Sequence, residues 1–100
     1  MTESIELKRD MAVTHDEFYR LIIKTIIDGH LLKIDPENSS VSFPFLNGYV
    51  DINLDNQLTR KIASLSIHHT PMNFKFQGLT KEQIDTYLEK FNTTFQKGGG

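Results

Sequence analysis

The stretch VDINLDNQLTRKIASLSIHHTPMNFKFQ, residues 50–77, decides the fold class. Val50, Ile52 and Leu54 alternate with Asp51, Asn53 and Asp55, and Met72, Phe74 and Phe76 alternate with Asn73, Lys75 and Gln77. Side chains two apart share one face of a strand, so each run offers a greasy face and a polar face. Between them, Leu58–His69 reads as a further strand that sets Ala63, Leu65 and Ile67 opposite Ser64, Ser66 and His68, with Thr70-Pro71 as the turn after it. Three meander strands of this kind predict an antiparallel sheet that is apolar on one side and wet on the other.

Working toward the N-terminus, Val41, Phe43 and Phe45 share a face over Ser40–Phe45, while Pro44 lies on the other and lacks a ladder donor, which places this strand at an edge or ends it in a bulge. Asn47-Gly48 reads as the next turn. Asp35-Pro36-Glu37-Asn38 joins the short arm His30–Ile34 to Ser40–Phe45 as a hairpin. Ahead of it, Thr14 and Glu17 have the spacing of a capping box, and Val13 and Phe18 that of a hydrophobic staple. A helix over 14–28 follows, ended by Gly29. Ile5, Leu7, Arg9 and Met11 alternate with polar neighbours and predict a first strand over 4–12, with Arg9 as a charge on its apolar face.

Working toward the C-terminus, Thr80 and Gln83 repeat the capping-box chemistry, and Ile84, Leu88, Phe91 and Phe95 recur at spacings of four, three and four. This helix is expected to end near Phe95, with a flexible tail at Gly98–Gly100 after a single domain over 1–97. The whole reads as an α+β fold: one or two helices on one face of a curved antiparallel sheet, the C-terminal amphipathic helix packed on it. The order is β-α-β4-α. That order is similar to those of the TATA-binding-like and helix-grip architectures, a likeness that assigns no function.

The chain has 100 residues, 38% of them apolar, and a mass for which area scaling gives roughly 5,800 Å² exposed when folded, enough burial for a self-sufficient core. The absence of cysteine excludes disulfides, zinc ribbons and thiol nucleophiles. Residues 1–50 carry five Lys and Arg against eight Asp and Glu, and residues 51–100 six against five, so neither half is basic enough to attract a nucleic acid by counterion release. No apolar run follows a basic start in Met1–Asp10, and Phe18–Ile27 is broken by Arg20 and Lys24 and is too short to span a bilayer. A cytoplasmic protein without membrane contact is the expectation.

Chemistry-bearing residues are sparse. Neighbouring strand residues point to opposite faces, so His68 and His69 cannot chelate one metal unless Thr70-Pro71 disrupts the strand; His68 falls on the polar face, within reach of Asp51 or Asp55. Asp51 and Asp55 are about 13 Å apart along a strand, too far for an acid/base dyad. No nucleophile elbow and no phosphate-binding glycine pattern occurs. No catalytic residue, metal or cofactor is therefore assigned, and Asp51, Asn53, His68 and Lys75 stand as polar-face ligand candidates. Nucleic-acid binding is not expected, since the strand aromatics share the apolar face.

The first helix carries more apolar residues than a one-sided stripe needs: either it is sandwiched between the sheet and the meander loops, or part of it is an interface, for which Tyr19, Ile23 and Ile27 are the candidates to meet a protein partner or a second copy. The expected function is a small non-catalytic interaction or accessory module, self-associating through helix 14–28. The alternative is a small-ligand-binding or minimal catalytic domain, with an apolar cavity between sheet and C-terminal helix. Gly98-Gly99-Gly100 resembles the exposed diglycine end of ubiquitin-like modifiers and sulfur carriers, which implies an activated terminal carboxylate. Those tails follow a strand, whereas here a helix precedes the glycines.

Overall fold

The computed structural model describes residues 4–26 and 32–99. In chain order the elements are β1 (Ser4–Met11), α1 (His15–Ile22) with a 3-10 turn at Ile23–Thr25, β2 (Lys33–Asp35), β3 (Ser40–Phe45), β4 (Gly48–Leu54), β5 (Leu58–Ile62), β6 (Leu65–Gln77) and α2 (Lys81–Gly99). The strands form an antiparallel sheet in the order β1-β6-β4-β3-β2, with β5 also paired to β6. This is an α+β fold with both helices on one face of the sheet.

The 50–77 stretch departs from its sequence reading in one instructive way. Leu58–His69 is not one strand but a hairpin, turned at Ala63-Ser64 by Ala63 in the left-handed region (φ 56°). Thr70-Pro71 does not turn the chain, because β6 runs through it for 13 residues. Pro71 is tolerated there for a specific reason. Its carbonyl accepts from the Asp55 N–H at 2.8 Å, and the N and O of one strand residue face the same neighbour, so its missing donor faces the point where β4 is leaving the ladder. A 13-residue strand rises about 40 Å. That exceeds the molecule's 25 and 24 Å short axes, so β6 lies along the 49 Å axis.

Continuity of β6 also sets its faces. Met72, Phe74 and Phe76 are buried beneath the helices, which puts Leu65 and Ile67, at odd positions, on the opposite outer face with Asn73 and Lys75. Ala63, Leu65 and Ile67, read from sequence as inner-face residues, are therefore exposed. A β-bulge does the same for β5. From Leu54↔Met72 to Leu58↔His69 the β4–β5 side advances four residues against three on β6, so one extra residue around 55–57 reverses which parity faces the core.

The core forms where α1 and α2 meet the inner face. Phe18 of α1 packs on Phe91 and Phe95 of α2, and Tyr87 of α2 packs on Phe43, Phe45 and Phe76 of the sheet. Both capping boxes form: Thr14 and Glu17 exchange side-chain bonds with each other's backbone N–H, as do Thr80 and Gln83. Arg9, the charge on the inner face of β1, donates to the Asn92 side chain on α2.

The helix predicted over 14–28 ends sooner. Ile26 is already extended (φ −111°, ψ 131°), after the Thr25 hydroxyl has bonded back to the Ile22 carbonyl at 2.7 Å. β-Branched Ile22, Ile23, Thr25 and Ile26 give this end little helical preference, so one buried side-chain bond is enough to close it. Gly29, His30 and Leu31 lie outside the described residues. The β3–β4 turn is Leu46-Asn47, with Leu46 at φ 52°, and Gly48 is already in β4. Gly48 serves close packing: a Cβ there would sit 2.2 Å from the Gln77 carbonyl oxygen and 2.7 Å from Leu79. At the other end, α2 stays helical through Gly98 and Gly99, beyond the expected stop at Phe95. Gly100 lies outside the described residues.

Candidate interaction surface

The segment 58–69 builds an arm out of the sheet body. Beyond Thr70, β6 has left β1 and β4 behind and pairs only with β5. Directly opposed residues of an antiparallel pair share a face, so Leu58/His69, Arg60/Ile67 and Ile62/Leu65 form one face, and Thr59/His68 and Lys61/Ser66 the other. The first face is mostly aliphatic and open. Leu58, Ile62, Leu65 and Ile67 are 46%, 53%, 65% and 38% exposed.

Three bonds fix the root of the arm. Thr70 is fully buried, and its hydroxyl donates to the Val13 carbonyl at 2.8 Å, tying β6 to the β1–α1 corner. The His69 Nδ1–H donates to the Asp10 carboxylate at 2.8 Å across the outer face. His15, at the start of α1, meets the Asp55 carbonyl through Nε2 at 2.8 Å and so holds the bulge. Between the root and β1 lies a cleft of about 280 Å³, lined by Asp10, Ala12, Arg60, Ile62, Ile67 and His69.

The polar-face candidates divide. Asp51 and Lys75 are opposed across β4 and β6, and Asn53 stands opposite Asn73, all on the outer face. The Asn73 side-chain amide donates to Glu6 at 2.9 Å, while its buried Oδ1 finds no partner in the described structure. His68 does not join them. It sits on the other face of the arm, 3.3 Å from the Thr59 hydroxyl, and its neighbour His69 is the histidine on the outer face. Sequence parity misplaced the pair because it assumed a turn at Thr70-Pro71.

A groove of about 420 Å³ opens at the foot of the arm, lined by Lys8, Asp10, Asn53, Asp55, Pro71 and Asn73 and by Arg9, Leu54 and Met72 of the opposite parity. On the inner face, where the sequence suggests an apolar cavity, the rings of Phe43, Phe74, Phe76, Tyr87 and Phe91 pack with centroids 5.1–6.3 Å apart. Tyr87 is held neutral. Burial pushes its phenol upward, and because the Thr25 hydroxyl proton goes to Ile22, the Tyr87 O–H is the donor in their 3.0 Å contact. Burial also raises the Tyr19 phenol, and Tyr19 packs half-buried against the core. Ile23 is 49% exposed, and Ile27 lies outside the described residues.

Among the described residues, no three His, Asp or Glu side chains gather as a metal site, and no helix is long and apolar enough to cross a membrane. The arm escaped sequence reading because Leu58–Ile67 looks like any half-buried strand; the one local sign was Ala63-Ser64, two small residues between Ile62 and Leu65. No family model, curated protein or solved structure matches the chain.

Proposed function

We propose that this chain is a small, non-catalytic protein-interaction module that docks through the β5–β6 arm. The observation that carries the reading is the open aliphatic face of Leu58, Ile62, Leu65 and Ile67 on a two-stranded ribbon. A lone hairpin is marginally stable in water, and one whose apolar side meets nothing spends hydrophobic area without return. Contiguous apolar area on a folded monomer marks contact surfaces. On the first helix Ile23 is exposed and Ile27 lies outside the described residues, so among the described residues the arm offers the broader open aliphatic face, and the reading rests on it.

The test is site-specific photo-crosslinking in cells that express the full chain, with the reactive group at Leu65 or, as control, at Thr86 on the exposed side of α2. Discrete protein adducts from position 65 and none from position 86 are expected. Equal or absent labelling at 65 removes the arm as an interaction element.

A further inference from the structure

We propose that the arm's occupant is a second copy of this chain, paired so that each arm lies across the outer sheet face of the other. This deepens the reading above and rests on it. Sidedness comes first. A two-fold interface needs both complementary parts on one surface of the protomer. The continuity of β6 provides that, because Leu65 and Ile67 of the arm lie on the same face of the strand as Pro71 and Asn73 at the groove.

Charge points the same way. Residues 58–69 contain Arg60, Lys61, His68 and His69 and no carboxylate. The outer face carries Glu6, Asp10, Asp51 and Asp55 against Lys8 and Lys75, and Arg9, whose guanidinium is bonded to Asn92, also lines the groove. Arg60 is on the aliphatic side of the arm, and Asp55 is at the groove, where it can receive a guanidinium. Edge-to-edge pairing of two β5 strands is disfavoured, since it brings Arg60 and Lys61 of both copies together.

Area completes the case. The four aliphatic residues expose on the order of 400 Å², the size of the largest patch on an ordinary monomer. Two arms and the two faces they cover approach the roughly 1,600 Å² of a stable interface.

Sedimentation velocity on the full chain, from about 5 to about 500 µM, is expected to show mass rising from 11.5 kDa toward twice that value. Ile67→Glu should weaken the dimer at least about tenfold while circular dichroism and melting stay unchanged. Arg60→Glu and Asp55→Arg should each weaken it, and an equimolar mixture of the two should recover it, because both contacts of the mixed dimer regain opposite charges. The mixing arm does not depend on how Ile67→Glu folds. A native chain that stays monomeric throughout, or a mixture that associates no better than its components, overturns the second-copy proposal. If position 65 then yields adducts of foreign mass, the interaction reading stands with another partner; if it yields none, both fall.

Discussion

At the scale of single residues, the most informative contact is that of Thr25 with Tyr87, which ends a helix and satisfies a buried phenol at once. Removing either partner has unequal consequences. Tyr87→Phe leaves Thr25 its bond to Ile22 and should cost about 0.5–1.5 kcal/mol, whereas Thr25→Val strands the phenol O–H in the core and should cost about 1–3 kcal/mol. Urea denaturation of both variants measures the difference. The phenol also sets an alkaline limit. Its folded pKa is raised above the ordinary value of 10.0, so its contribution is full below pH 10 and is lost as pH rises through the folded value. Stability measured upward from pH 9 should fall in the native chain and fall less in Tyr87→Phe. Gly48→Ala drives a Cβ into the Gln77 carbonyl, which is backbone and cannot step aside, so a loss of roughly 2–4 kcal/mol is expected in the same denaturation measurement. The sequence marks Gly48 as a turn residue; only the sheet register shows that it makes room for another strand.

At the scale of elements, β6 is one strand with two roles. Its half from Met72 to Gln77 is buried on the inner face and laddered on both edges, and its half from Leu65 to His69 has one partner and open faces. Substitutions four to ten residues apart along it should therefore behave differently. Phe74→Ala should cost about 3–5 kcal/mol through loss of core volume, whereas Leu65→Glu should stay within about 0.5 kcal/mol of the native chain in dilute solution. Thermal unfolding at low protein concentration checks both. The capping boxes belong to this scale too, and they were legible in sequence because their chemistry is local: T-x-x-E and T-x-x-Q need only three residues of spacing. The end of α1 was not, since Tyr87, the group that completes it, lies 62 residues away.

At the scale of the molecule, the body and the arm should differ in stability as well as in shape. Native-state hydrogen exchange is expected to find the amides of 65–69 opening by local fraying and those of 72–76 only on global unfolding. Uniform protection along β6 would show that the ribbon folds as part of the core. Much of the architecture follows from the chain alone: the alternation of Val50, Ile52 and Leu54 and of Met72, Phe74 and Phe76, and the stripe of Ile84, Phe91 and Phe95, are periodic signals that carry strand, helix and inner face without reference to anything distant. Those signals determined an α+β fold with a C-terminal helix on an antiparallel sheet. The arm was decided only in three dimensions. Period-two alternation is the same for a strand in the sheet and for one that has run past its neighbours, and a one-residue bulge or an absent turn reverses which face is inside without altering the composition. Where β1 and β4 stop pairing with β6 is a property of the whole sheet, and that stopping point is what leaves Leu58, Ile62, Leu65 and Ile67 facing outward.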